Sequence, residues 1–194
     1  MKRMPKTFCI SLPDRVDRRN KVLKACEEIG IRPKWIQAVD GRDSIGGAMG
    51  CKYSHWFCLK LAQHEQLGNF LVIEDDVEFS KDFNLDLTDV PEDWDMVYFG
   101  GNHIRGRPIH IKNNVYKCTY TLCTHAMLIR HTCYDLLLQR LLESSEPVDV
   151  ILGKLHKDVL NAYVIYPHTA WQVDGYSDIE NRQVDYSFLK NRPI

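Results

Sequence analysis

Short apolar runs alternate with amphipathic segments through the first half of the chain. The runs have the length of buried strands, whereas the segments between them repeat apolar residues every three, four or seven positions, as a helix with one buried face does. Gly30 and Gly68 follow the two helical segments, and glycine is common just after a helix end. The pattern predicts strands over 7–12, 34–39, 70–73 and 95–100, and helices over 18–29 and from Ser54 to Gly68.

The second half of the chain predicts more closely spaced strands. It gives, in order, a polar loop at 100–114, strands at 115–121 and 126–129, helices at 134–142 and 147–159, a strand at 162–166 and a polar tail. The loop contains three glycines and is either a lid over a ligand or simply an exposed loop. Alternation of strands and helices predicts an α/β fold, with a mixed, mostly parallel sheet and helices on both faces. With 194 residues, 44% of them apolar, we expect one domain over 1–194.

Three consecutive carboxylates end the most apolar of these strands. Phe70-Leu-Val-Ile runs directly into Glu74, Asp75 and Asp76, where open α/β sheets bind their ligands. Side chains alternate along a strand, so Glu74 and Asp76 point to one side and Asp75 to the other. This D-x-D-like arrangement suits a hard divalent cation that also holds a diphosphate. The alternative is a solvated strand end with an acidic turn.

The charge of the chain is segregated although its net value is only −1. Residues 1–34 contain ten Lys and Arg against four acids, and residues 74–95 contain ten acids against Lys81 alone. A basic segment beside an acidic strand end favours an anionic ligand bridged by a metal. It argues against duplex nucleic acid, which requires a basic face.

The amino terminus has no apolar stretch long enough for a secretory signal or a membrane span. The seven cysteines are an odd number, and several fall at predicted core positions. We therefore expect a protein without a membrane span, in the cytosol of a bacterium or of a virus-infected cell. The group Cys118, Cys123, His125, His131 and Cys133 contains no C-x-x-C pair, which disfavours a zinc site there.

Nine short blocks follow one another along the chain in a fixed order. They run from Ile10 to Arg19, Ala38 to Gly41, Gly50 to His55, Ile73 to Val77, Trp94 to Gly100, Thr124 to Ala126, Pro147 to Asp149, Tyr166 to His168 and Asp174 to Asp178. By their order and spacing, more than by any single block, they resemble glycosyltransferase family 25, the lipopolysaccharide and collagen β-galactosyltransferase type.

The resemblance implies a GT-A (Rossmann-like) fold, a UDP-sugar donor, Mn²⁺ or Mg²⁺, and inversion at the anomeric carbon. The expected reaction moves a hexose, galactose or glucose, to a glycan hydroxyl. It requires charge stabilisation of the leaving diphosphate and a base for the acceptor hydroxyl. The alternatives are a nucleotide-sugar-binding module without turnover and another nucleotide-diphosphate enzyme, such as a nucleotidyltransferase.

The resemblance also suggests roles for acidic residues and one histidine. Asp76 is the first candidate metal ligand, with Glu74 on the metal or the ribose. His168 is the further ligand expected from the carboxyl-terminal part, with Asp174 as its substitute, or it is a surface loop histidine. Asp149 is the leading general base because it lies at a helix start, where the helix dipole favours a charged carboxylate. It is alternatively a simple dipole-stabilising acid. Asp178 is the second candidate base.

The remaining predictions concern the nucleotide. Arg15 and Arg19, at the first strand–helix turn, are candidates for the phosphate or the uridine, or form a solvated basic helix start. Asp40 is a candidate for the base or ribose, or a turn residue before a glycine. Ser54 is a candidate donor contact, a plain N-cap, or both. The predicted nucleotide site is completed by Leu12, Val39 and Asp75.

Some features depart from the family or leave its details open. The chain lacks the extra carboxyl-terminal segment of animal members, which favours a microbial or viral glycan as the acceptor. Neither the sugar nor the acceptor is encoded in a motif, because one hydroxyl or methylene in the pocket decides such choices. His55 is more typical of a packed histidine than of a catalyst. The oligomeric state cannot be read from the sequence.

Overall fold

The structure, a computed structural model, describes residues 4–190 and 194. The first half alternates strands with helices: β1 Lys6–Ser11, α1 Val16–Glu28, β2 Lys34–Gln37, α2 Gly47–His64, β3 Asn69–Glu74, β4 Val77–Phe79 and β5 Met96–Tyr98. The second half contains β6 Ile109–Lys112, β7 Val115–Lys117, β8 Ala126–Arg130, α3 Tyr134–Glu143, α4 Val148–Leu155, β9 Ala162–Ile165, β10 Ala170–Gln172, β11 Gly175–Ser177, β12 Arg182–Val184 and α5 Ser187–Lys190.

Eight strands form the main sheet in the order β2-β1-β3-β8-β5-β9-β7-β6. Strands β2, β1 and β3 are parallel, β8 and β7 run against their neighbours, and β5 pairs with β9 in parallel. Six of the eight strands therefore point the same way. The mixed, mostly parallel sheet predicted from the sequence is confirmed.

Two apolar layers cover the two faces of this sheet. Because side chains alternate along a strand, Phe8 of β1 and Phe70 of β3 pack toward α2, α3 and α4, with ring centroids 5.3 Å apart. Their neighbours in the chain, Cys9 and Leu71, pack on the other face with Val22 of α1. Burial of each large apolar side chain contributes roughly 1.5–3 kcal/mol. The alternation of side chains along the strands therefore gives each face of the sheet an apolar layer, against which the helices pack.

Several predicted boundaries were wrong. Helix α2 begins at Gly47, seven residues before Ser54, which is therefore inside the helix and not its N-cap. The predicted loop at 100–114 contains β6, which pairs with β7 as a hairpin. The polar tail also forms structure, because β10 pairs with β4, and β11 pairs with β12.

The parallel arrangement brings three chain segments to one edge of the sheet. Strands β1, β2 and β3 all end there, so the residues that follow Ser11 and Gln37 lie beside Glu74.

Within residues 4–190 and 194, no helix has both the length and the apolar character needed to cross a bilayer.

Candidate functional site

A pocket lies at the edge where β1, β2 and β3 end. Its walls come from these strand ends, from the start of α2 and from the tail segment around β11. Eight of the residues predicted to bind nucleotide, metal or acceptor line it: Leu12, Val39, Asp40, Ser54, Glu74, Asp75, Asp76 and Asp178. Residues separated by more than 160 positions thus meet in one pocket, as expected for a ligand site at strand tips.

Helix α2 reaches the pocket because two glycines permit close backbone contact. A side chain at Gly50 would place its Cβ 2.4 Å from the Val39 carbonyl oxygen, and one at Gly47 would lie 2.6 Å from the Asp178 carbonyl oxygen. Ser54 fixes the same contact, since its Oγ accepts a hydrogen bond from the Val39 N–H at 2.8 Å and donates to the Gly50 carbonyl at 2.7 Å. Ser54 therefore lines the pocket while tying α2 to the end of β2.

Glu74 is held by two neighbouring side chains. The Thr124 hydroxyl donates to Glu74 Oε1 at 2.6 Å, and His55 Nε2 lies 3.0 Å from the same oxygen. Burial raises the pKa of Glu74, but the hydrogen bonds from His55 and Thr124 outweigh that effect and bring its pKa below the usual range. Glu74 is therefore a charged and oriented carboxylate.

Asp76 has the opposite electrostatic environment. Burial, reinforced by the negative charge of Glu74, raises the pKa of Asp76 to about 7. Its Oδ2 accepts a hydrogen bond from Gln172 at 3.3 Å and lies 3.7 Å from Arg18 Nη1, while the buried Oδ1 has no hydrogen-bond partner among the described residues. A cation between Glu74 and Asp76 would neutralise this charge and give Oδ1 a partner. The oxygen donors fit Mn²⁺ or Mg²⁺.

Arg18, which lies between the predicted Arg15 and Arg19 in the chain, is the arginine of this turn that contacts the strand-tip carboxylates. Its guanidinium donates to Asp75 Oδ1 at 3.1 Å and to the carbonyl oxygen of Tyr176 on β11. Arg19 instead donates to Ser11 Oγ at 3.0 Å and to the Ser11 carbonyl, and its guanidinium stacks over Trp35. These contacts give Arg19 a supporting place beneath the end of β1, behind the pocket wall.

Asp178 lines the pocket as one partner of an ion-pair network. Its Oδ2 accepts a hydrogen bond from Arg15 Nη1 at 2.8 Å, and its Oδ1 lies 3.7 Å from Arg42. Arg42 also binds the Asp40 carboxylate at 2.6 Å, which holds the pKa of Asp40 below its usual value. Arg15 itself faces a neighbouring cleft that shares Arg18, Asp75 and Asp76 with the pocket.

Asp149 lies near the strand-tip carboxylates, on the side of α2. Its Oδ1 accepts a hydrogen bond from the Val150 N–H at 2.8 Å, and its Oδ2 one from the Cys123 N–H at 3.4 Å. Burial raises the pKa of the Cys51 thiol, and the charges of Glu74, Asp149 and Asp76 raise it further, so all three carboxylates act on one thiol. Cys123 has φ +72°, a strained conformation of the kind that accompanies functional sites.

His168, the predicted further metal ligand, has other partners. Its Nδ1–H donates a hydrogen bond to the Leu189 carbonyl oxygen at 2.9 Å, and its Nε2 lies 3.2 Å from Nε2 of His103. Both ring nitrogens are therefore engaged away from the strand tip. The structure does not bring His168 together with Glu74 and Asp76.

Several residues of the site were missed by sequence reasoning. Arg42 lies in none of the blocks that resemble the family, whereas Thr124 and Cys51 lie inside such blocks but were given no role. The available signal was positional, because Cys51 and His55 are four residues apart, which places them on one face of a helix. Thr124 precedes a strand that pairs with β3, so it lies beside Glu74.

Curated proteins that bear the names of glycosyltransferases are similar in sequence to this chain, although no family model matches it. A glycosyltransferase 25 family member of Aedes aegypti is 27% identical over 129 residues, which is 50% of this chain and 21% of that protein. Procollagen galactosyltransferase 2 of Mus musculus is 30% identical over 125 residues, 48% of this chain and 20% of that protein. The inactive glycosyltransferase 25 family member 3 of Homo sapiens is 29% identical over 129 residues, 50% and 22% of the two chains. The chain thus matches about a fifth of the length of these relatives.

Solved structures with a similar arrangement include a glycosyltransferase involved in glycosylation of the major capsid of PBCV-1. It has a TM-score of 0.43 and 11% identity, and the match covers 80% of this chain and 68% of that one. A nucleoside-diphosphate-sugar pyrophosphorylase from Vibrio cholerae gives a TM-score of 0.46 at 14% identity, over 85% and 75% of the two chains. Similarity at this level carries no argument about activity.

Proposed function

We propose that this chain, which is similar to members of glycosyltransferase family 25, transfers a hexose from a UDP-sugar to a glycan hydroxyl in a metal-dependent, inverting reaction. The observation that supports this most is the Asp76 carboxylate. One of its oxygens is buried beside Glu74, at the rim of the strand-tip pocket, without a hydrogen-bond partner in the described part of the chain. A buried carboxylate of this kind is costly unless a cation or a proton neutralises it.

Glu74 and Asp76 would hold the divalent cation, with Glu74 already oriented by His55 and Thr124. When bound, such a cation stabilises the charge of a leaving diphosphate and orients it. Arg18 spans Asp75 and Asp76 and lines the same pocket, so it would keep these acids in place as the ligand enters.

The start of α2 would supply further contacts to the diphosphate. Gly47, the first residue of the helix, lines the pocket, and the helix has no side-chain cap at its amino end. Uncapped amide groups at a helix start bind phosphate well, because they donate hydrogen bonds and carry the positive end of the dipole. Leu12 and Val39 line the same pocket at the ends of β1 and β2, where a uridine would pack.

Asp149 is the better candidate for the base that takes the acceptor proton. Its oxygens accept hydrogen bonds from two backbone amides, whereas Asp178 is bound by Arg15 and lies near Arg42. The ion pair with Arg15 engages an Asp178 carboxylate oxygen, so that oxygen is less available to an acceptor hydroxyl. In this proposal Asp178 holds the tail segment against the pocket.

The test is donor turnover across a panel of UDP- and GDP-sugars, with Mn²⁺ and with EDTA, for the unmodified protein and for Asp76→Asn. We expect release of UDP from one hexose donor, its loss with EDTA, and at least a 100-fold lower rate in Asp76→Asn, in the range usual for loss of a preorganised charge contact (~10²–10³). Asp82→Asn is the matched control, because Asp82 is an exposed acid of the same segment.

Two outcomes would overturn the proposal. Turnover that is insensitive to EDTA and to Asp76→Asn would exclude the metal–carboxylate site. Binding of UDP with Mn²⁺ but no turnover with any donor and glycan acceptor would instead support a binding module. The binding module is also supported by the comparisons, because one similar protein is named as an inactive family member.

A further inference from the structure

A second group of metal-ligating side chains lies behind the strand-tip pocket. Cys51 and His55 are four residues apart on α2 and face Glu74 across the end of β3. One ligand atom from each of the three side chains lies within 4.8 Å of the other two. Two of the atoms, His55 Nε2 and Glu74 Oε1, are already 3.0 Å apart.

The chemistry of these ligands differs from that of the Glu74–Asp76 pair. A thiolate, an imidazole and a carboxylate together suit a borderline-soft ion such as Zn²⁺, whereas Mn²⁺ and Mg²⁺ prefer oxygen. Bonds of roughly 2.0–2.3 Å to one ion require the ligand atoms to come within about 4 Å of each other. Small rotations of the Cys51 and Glu74 side chains would reach that spacing.

The surroundings of the three residues also fit an ion. Cys51 and Glu74 line the strand-tip pocket, which gives an entry path, while His55 is 3% exposed and fixed within the helix packing. All seven cysteines are free, so the Cys51 thiol is available as a ligand. The Thr124 hydroxyl on Glu74 Oε1 would support the carboxylate from outside the ligand set, as such partners commonly do.

We propose that Cys51, His55 and Glu74 bind a thiophilic divalent ion of the zinc class, with a fourth position open to the pocket. Binding would release the thiol proton to solvent as the sulfur–metal bond forms. Because Glu74 belongs to both sets of ligands, this ion and the hard cation at Glu74 and Asp76 would exclude each other. A zinc-class ion bound at this site would therefore inhibit the proposed transfer reaction by keeping the hard cation from Glu74.

Cobalt is the probe that tests this site, because a Co²⁺ ion with a thiolate ligand gives a charge-transfer absorption band in the near ultraviolet. The full chain, reduced and freed of metal, is titrated with Co²⁺ and then with Zn²⁺ in the absence of nucleotide. We expect one Co²⁺ per chain, a thiolate band, and stoichiometric loss of that band on addition of Zn²⁺. Binding without the thiolate band, or no binding, would overturn the proposal.

Three variants separate this site from its neighbours. Cys51→Ser should abolish the band and weaken Co²⁺ binding by more than about 100-fold, the upper limit for loss of a merely supporting contact. Cys58→Ala, a buried cysteine of the same helix, and Asp76→Asn should both keep the band. A band that persists in Cys51→Ser, or that disappears with Cys58→Ala, would refute the assignment.

The link to the hard-cation site has its own readout. Mn²⁺ binding, followed by electron paramagnetic resonance, should be reduced by Zn²⁺ in the unmodified protein but much less in Cys51→Ser. These measurements need neither donor nor acceptor, so their failure is distinct from failure of the proposed transfer reaction. Equal sensitivity of the two proteins to Zn²⁺ would show that Cys51 takes no part.

Discussion

At the scale of single residues, Asp76 and Glu74 show how two carboxylates one residue apart acquire different properties. Glu74 accepts hydrogen bonds that favour its charge, whereas Asp76 has a pKa raised to about 7 and an oxygen that no described residue hydrogen-bonds. The difference arises because Thr124 and His55 face only one of them. A metal site assembled this way has one fixed carboxylate and one whose ionisation the ion itself would favour.

The raised pKa of Asp76 has a consequence for the stability of the metal-free protein. Between about pH 4 and pH 7, the folded chain binds a proton at Asp76 that the unfolded chain has lost, so the free energy of unfolding falls as the pH rises through this window. Asp76→Asn removes that dependence. We expect the variant to be more stable than the unmodified protein at pH 8 by about 1–3 kcal/mol, and to show a smaller advantage at pH 5.

Chemical denaturation of both proteins in EDTA at the two pH values measures this difference. Asp82→Asn, with an exposed carboxyl, should show no comparable gain at pH 8. The stability advantage of Asp76→Asn over the unmodified protein should be larger at pH 8 than at pH 5. A smaller advantage at pH 8 would contradict the environment assigned to Asp76.

The choice between the two candidate bases is also a residue-scale question. Asp149→Asn should lower the turnover rate by about 10²–10⁴, the usual contribution of general base catalysis, and leave UDP binding in Mn²⁺ unchanged. Asp178→Asn should mainly weaken UDP binding, because it breaks the contact with Arg15 that holds the tail segment. Turnover rates and UDP affinities measured on both variants decide the matter, and the reverse pattern would make Asp178 the base.

At the scale of elements, the contact between α2 and the end of β2 fixes one wall of the pocket. Gly50→Ala would place a Cβ 2.4 Å from the Val39 carbonyl oxygen, so the helix must move away from the strand. We expect a loss of about 1–3 kcal/mol in the free energy of unfolding, as for other overpacking changes. Gly68→Ala is the control, since no atom of residues 4–190 or 194 lies within 4 Å of its added Cβ. Equal stabilities of the two variants would show that α2 and β2 are not tightly docked there.

The same elements show what the sequence could and could not predict. Strands β1 and β3 and helix α1 were predicted because their apolar residues follow regular spacings, which local sequence alone determines. The start of α2 was missed because Gly46, Gly47 and Gly50 read as a loop, and only the close contact with β2 and the tail explains glycines in a helix. The tail strands were missed because β10 depends on β4, a partner about ninety residues away.

At the scale of the whole molecule, the strand-tip pocket is closed by segments from both ends of the chain. Arg15 and Arg18, near the amino end, bind Asp178 and the Tyr176 carbonyl oxygen in the tail. The tail also determines the surroundings of His168, because α5 packs against β10 and brings the Leu189 carbonyl oxygen to the histidine. Individual residues could be placed at strand ends from the sequence, but their meeting across the tail depends on the complete fold.

A ligand that binds in this pocket should therefore stabilise the whole chain. UDP with Mn²⁺ at about 100 times its Kd should add about 2.7 kcal/mol to the free energy of unfolding, equivalent to a Tm increase of roughly 5–10 °C for a domain of this size. UDP in EDTA should give little increase, because the diphosphate and the strand-tip acids would repel each other without a cation. Thermal unfolding in the four combinations of UDP and Mn²⁺ measures the effect. In Asp76→Asn the Mn²⁺-dependent part should vanish, and a full increase in that variant would mean that the cation binds elsewhere.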